Sequence, residues 1–133
     1  MRLTKSDIRM IVETLAPTCK VTFGNGEGSY FRRAIPEFNA VSVINIDLEQ
    51  IRGVFKGKGK MRKFKENVKQ RGFDLSSMAS LTKQVVLHEI AHYKQYIKWP
   101  EGMFDAVVTI KGAMDLYSER SADRYAFLVG RFI

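Results

Sequence analysis

Residues 74–98 read DLSSMASLTKQVVLHEIAHYKQYIK, and the rest of the chain is best understood outward from them. Met78, Leu81, Val85, Val86, Ile90, Tyr93, Tyr96 and Ile97 recur at helical spacing and share one broad arc. Lys83, Gln84, Lys94, Gln95 and Lys98 fall on the opposite arc. Asp74, Ser76 or Ser77 can cap the start, and Pro100, just beyond Trp99, ends the run. The spacing predicts one long helix over residues 74–98.

The only two histidines of the chain lie in this segment, as His88-Glu89-Ile90-Ala91-His92. Residues four apart on a helix stand one above the other on one face, so the two imidazoles can converge on a single ion. Glu89 is rotated by about 100° from His88, away from direct ligation but within reach of a metal-activated water. His88 and His92 sit at the margin of the apolar arc and Glu89 inside it. A carboxylate facing a core is costly unless a cation is near. A metal site accounts for its placement, and the spacing is the H-E-x-x-H pattern of zinc hydrolases.

Two histidines leave a zinc ion short of a third protein ligand. Residues 111–132 read as a final helix, on which Glu119 and Asp123 are again four apart and share a face with Leu116, Ala122 and Ala126. Arg120, Arg124 and Arg131 point away from it. Glu119 as ligand and Asp123 as the acid supporting a ligand histidine is the simplest assignment. Asp115, Asp105 and Glu101 are rival ligands.

His88-Glu89-x-x-His92 followed by Glu119-x-x-Ala122-Asp123-x-Tyr125-Ala126 resembles the gluzincin pattern, closest to the ImmA/IrrE-like and minigluzincin metallopeptidases. The resemblance covers roughly residues 74–132. It implies His88, His92 and Glu119 as Zn2+ ligands, Glu89 as general base and Asp123 as the supporting acid. It also implies peptide-bond hydrolysis on a peptide or protein substrate, and it nominates the strand at residues 40–46 for pairing with substrate. An oxyanion donor is expected; Tyr125 is the first candidate, with Tyr117, Tyr96 and Tyr93 behind it.

Upstream, residues 4–16 read as an amphipathic helix with a capping box from Thr4 and Asp7, ended by Pro17. Residues 19–23 and 29–34, joined through Gly24-Asn25-Gly26-Glu27-Gly28, read as a β-hairpin. Residues 40–46 are rich in β-branched side chains and read as a strand. Asp47 starts a short helix, residues 56–60 (KGKGK) read as a mobile charged linker, and residues 61–71 read as a further helix. Residues 101–112 are ambiguous. The expected fold is α+β, a single compact zincin-like domain over residues 1–133. It has a small antiparallel sheet, an active-site helix and a C-terminal glutamate helix.

The net charge of +8 is concentrated. Residues 52–71 hold nine basic residues against Glu66 alone, and the remaining 13 basic and 13 acidic residues balance. A solvated flexible arm, or a surface for an acidic protein, is favoured over nucleic-acid binding there, because only Phe55 and Phe64 interrupt the charges. The alternatives to a simple peptidase are a DNA-associated metalloprotease recruited by this segment and a non-catalytic regulatory module of zincin fold. The lone Cys19 precludes an internal disulfide and suits a reducing compartment. No membrane span or signal segment is expected, which points to the cytoplasm.

Overall fold

A computed structural model describes residues 3–24, 26–99 and 113–133. Helix α1 (Lys5–Leu15) starts at Thr4, whose hydroxyl accepts from the Asp7 amide while the Asp7 carboxylate accepts from the Thr4 amide at 2.8 Å. Its apolar positions Ile8 and Val12 are fully buried and pack towards the long central helix.

Three strands follow: β1 (Lys20–Phe23), β2 (Tyr30–Arg32) and β3 (Val43–Ile46). Their order is β1-β3-β2. β1 runs parallel to β3, with Val21 opposite Ile44, and β2 runs antiparallel to it, with Phe31 opposite Ile44. The sheet is therefore mixed and not antiparallel, and the hairpin expected from residues 19–34 does not form. Burial explains the difference: every β3 residue is buried, whereas β1 and β2 are half-buried to exposed. An Ile-rich strand covered on both faces belongs at the centre, and the two less apolar strands take the edges.

The glycines of the expected turn instead carry a loop past the end of β3. Gly28 has a φ of 100°; its amide donates to Asp47 Oδ2 at 2.7 Å, and its carbonyl accepts from Asn45 at 3.1 Å. A short 3-10 turn (Pro36–Phe38) leads from β2 towards β3.

Asp47 caps α2 (Leu48–Lys56), which ends on Gly57 in the left-handed region. Residues 58–60 then turn into α3 (Met61–Gln70). Within the basic segment 52–71 the two helices expected on either side of the KGKGK linker are present and pack against each other, joined by a short glycine turn.

Helix α4 (Met78–Lys98) begins at Ser77, whose hydroxyl accepts from the Ser80 amide. It starts later than expected because residues 74–77 form the cap and its approach. α1, α2, β2, β3 and α5 (Ala113–Val129) all pack on it. Being covered on several sides, it buries Gln84 and Gln95, which lie on the arc opposite the apolar one, and leaves Ile97 58% exposed. Leu81, Val86, Leu87 and Ile90 join Ile8, Ile44 and Ile46 in the core. Among the described residues the architecture is α+β, with five α-helices and this three-stranded sheet. No described helix is long and apolar enough to cross a membrane. The ambiguous residues 101–112 lie outside the described ones.

Candidate metal centre

The pairing of α4 with α5 builds the site. His88, His92 and Glu119 bring one ligand atom each into a group lying within 4.8 Å of one another. The two Nε2 atoms are 3.2 Å apart. Each stands 3.1 Å from a different oxygen of Glu119. Ligands at 2.0–2.1 Å from a tetrahedral ion are separated by about 3.3 Å, close to the distance between the two Nε2 atoms and to the distance of each from its nearer Glu119 oxygen.

The tautomers point the same way. Gln95 donates its amide nitrogen to the Ser118 carbonyl at 3.0 Å, which turns its oxygen towards His92 Nδ1 at 2.9 Å. That nitrogen therefore carries the proton, and Nε2 is left as a lone pair. His88 Nδ1 faces Asp123 Oδ1 at 2.8 Å, with the same consequence for its neutral form. With both rings neutral, two imidazole lone pairs and a carboxylate converge on one point. A positive charge is needed there; a proton on His88 supplies it in the metal-free protein, and the donor set fits a divalent metal in its place.

The charges respond accordingly. Burial would lower the His88 pKa, but hydrogen bonds to Asp123 and Glu119 outweigh it and hold the pKa up at about 9. Burial would raise Glu119, but hydrogen bonds from His88 and His92 pull it far below the usual carboxylate range. Glu89, 5% exposed, moves the other way: burial raises its pKa against the opposing pull of the two histidines.

Glu89 and the three candidate ligands all line a cleft of about 450 Å³. Its far walls come from Tyr30 and Phe31 of β2, Ile51 and Val54 of α2, and Phe73 after α3. The strand at residues 40–46, nominated for substrate, is the central strand and is flanked on both sides; the strand bordering the cleft is β2.

Arg71, at the end of α3, forks Asp123 with Nε and Nη2 at 2.8 and 2.7 Å. Its Nη2 is 3.6 Å from Glu119, and its guanidinium lies over the Phe73 ring. Asp123 Oδ1 is thus shared between Arg71 and His88.

Not every candidate reaches the site. Tyr125 packs half-buried against the core and is not part of the cleft wall. Tyr93 bonds to Thr18, and Tyr96 lies against Phe31. Among the described residues, the tyrosine that lines the cleft is Tyr30. The side chains of Tyr117 and Asp115, and residues Asp105 and Glu101, lie outside the described ones. Sequence reasoning missed Tyr30, Arg71, Gln95 and Ser118. Gln95 had a signal: it stands three residues after His92, on the same helix face. Arg71 had none, since its partners are 48 and 52 residues away. The chain matches no family model, no curated protein and no solved structure.

Proposed function

We propose that the protein is a zinc metallopeptidase of the gluzincin type, with His88, His92 and Glu119 as ligands and Glu89 as general base. The observation that carries this reading is the convergence of His88, His92 and Glu119 within 4.8 Å, the two Nε2 atoms 3.2 Å apart, in a cleft that Glu89 of the adjoining helix position also lines. Zinc held there would polarise a scissile carbonyl and lower the pKa of water towards about 7.

Glu89 takes the proton from the attacking water. It then returns a proton to the leaving nitrogen as the C–N bond breaks. Its burial suits both halves of that shuttle, because a carboxylate of raised pKa holds a proton more readily at neutral pH. Asp123 and Gln95 hold the two rings so that both Nε2 atoms face Glu119. An extended substrate segment would lie along β2, whose Tyr30 and Phe31 line the same cleft as the histidines.

The test is a zinc determination together with cleavage of a quenched-fluorescent peptide library by the native protein and by Glu89→Gln. Stoichiometric zinc in both, with turnover reduced at least about 100-fold in the variant, is the expected result. Unchanged cleavage in Glu89→Gln would remove the base assignment. Zinc bound without cleavage in either protein would favour a non-catalytic regulatory module, and no zinc in either would overturn the reading.

A further inference from the structure

The α2–α3 hairpin plays no part in the proposed chemistry except through Arg71, yet its residues 52–71 carry a charge equal to the net charge of the whole chain. Lys58, Lys60, Arg62, Lys63 and Lys69 are all exposed. Among the described residues none of these five makes an ion pair or a side-chain hydrogen bond. Glu66 is the only acid between residues 52 and 71. These cations are not strung along a loose arm. Gly57 and Gly59, with φ of 60° and 59°, turn the chain sharply so that α3 folds back on α2. Arg62, Lys65 and Lys69 then fall on one helix face at spacings of three and four.

We infer that this hairpin is a docking surface for the phosphate backbone of nucleic acid. Helical order is what makes the difference. Arg62 and Lys69 are separated by about 10 Å along the helix axis, close to the rise of three phosphates on one strand of a duplex. The composition separates nucleic acid from an acidic protein. Protein interfaces are depleted in lysine and enriched in aromatic anchors, whereas nucleic-acid interfaces are polar and strongly positive. Here the exposed surface is mostly lysine, and Phe64, 57% exposed, is the one large aromatic on α3. The charge also continues beyond the hairpin. A groove between α3 and α5 adds the exposed Arg120 and Arg124 at its rim, while its acids Glu119 and Asp123 are engaged by Arg71 and His88. Unbalanced like charges on neighbouring turns destabilise a helix on their own, and a polyanion laid across them relieves that repulsion.

Fluorescence anisotropy with a short random-sequence DNA duplex tests the inference, and neither zinc nor catalysis enters the measurement. Affinity should fall steeply between about 50 and 200 mM salt, with a log–log slope of about −3 to −5. Reversing Lys58, Lys60, Lys63 and Lys69 to Glu together should weaken binding about 100-fold or more and flatten the slope. The milder change of the same four to Gln should fall between the two, and circular dichroism should show both variants folded. Lys5→Gln with Arg9→Gln, at Phe23 on the other edge of the sheet, should stay within about twofold of the native protein. Absence of salt-dependent binding at about 50 mM would overturn the inference, as would undiminished binding in the folded Glu variant. So would a poly-glutamate peptide that binds as tightly as the duplex, which would assign the surface to an acidic protein.

Discussion

Asp123 of α5 holds Nδ1 of His88 on α4 at 2.8 Å, and the same carboxylate is forked by Arg71 at the end of α3. One acid therefore ties three helices together at the point where the imidazole must be aimed. Its pKa, which burial would raise, is held low by the His88 and Arg71 contacts, so it stays an acceptor. Asp123→Ala is expected to weaken zinc binding about 10- to 100-fold, because the ring loses its orientation and its Nδ1 proton loses its acceptor. Chelator competition on the purified variant measures this. An affinity equal to that of the native protein would show that Asp123 does not position His88.

Arg71 acts on the same pair from one step further out. Arg71→Met keeps an unbranched aliphatic stem but removes both hydrogen bonds to Asp123 and the guanidinium that lies over Phe73. A smaller loss of zinc affinity is expected than for Asp123→Ala, roughly fivefold to tenfold. In a double-mutant cycle the two changes should be strongly non-additive, since each acts through the same carboxylate. Additive losses in the same competition assay would separate them.

Zinc affinity should depend on pH with a defined sign. In the metal-free protein the His88 pKa is about 9, above its ordinary 6.5. The stabilisation from that proton is complete below about 6.5 and is lost as pH rises through about 9. Zinc needs the same Nε2 as a lone pair, so metal and proton compete. Apparent affinity is expected to rise about tenfold per pH unit through this window and to level off above it. Titration of the metal-free protein at several pH values checks the slope, and a flat profile would show that no proton is displaced.

Asp47 is a stability position next to the cleft. It is fully buried, caps α2 through the Gln50 amide at 3.0 Å, and holds the Gly28 amide at 2.7 Å, just before β2. Asp47→Ala is expected to cost about 2–3 kcal/mol, combining a lost helix cap with an unsatisfied buried amide. Urea unfolding measures the loss, and a change under about 0.5 kcal/mol would mean that the loop finds other partners. Burial alone would raise the Asp47 pKa, but its amide donors outweigh that and lower it. This contribution is therefore present above the ordinary value of 3.8 and is lost as pH falls through the lowered one.

Gly57 closes α2 at a φ of 60°, and a Cβ there would run into the Lys65 side chain. Gly57→Ala is expected to destabilise the fold by about 1–2 kcal/mol, also read by urea unfolding. An unchanged midpoint would show that the turn can adopt another conformation.

Read alone, the amino-acid sequence determined the features whose causes are local. The Thr4–Asp7 capping box, the turns of the long helix and the one-turn stacking of His88 and His92 all depend on residues within four positions of each other. Helix geometry then dictates their relation wherever the helix lies. Tertiary structure decided everything that needed distant partners. Which strand took the centre of the sheet followed from β3 being buried on both faces. Gln95 turned inward because α5 covers that side of α4 and supplies the Ser118 carbonyl. Asp123 reaches His88 across 35 residues and Arg71 across 52, and no period in the chain encodes such a meeting. Only the packing of α3, α4 and α5 fixes it, because a side chain's long-range neighbours are set by how surfaces fit and not by spacing along the backbone.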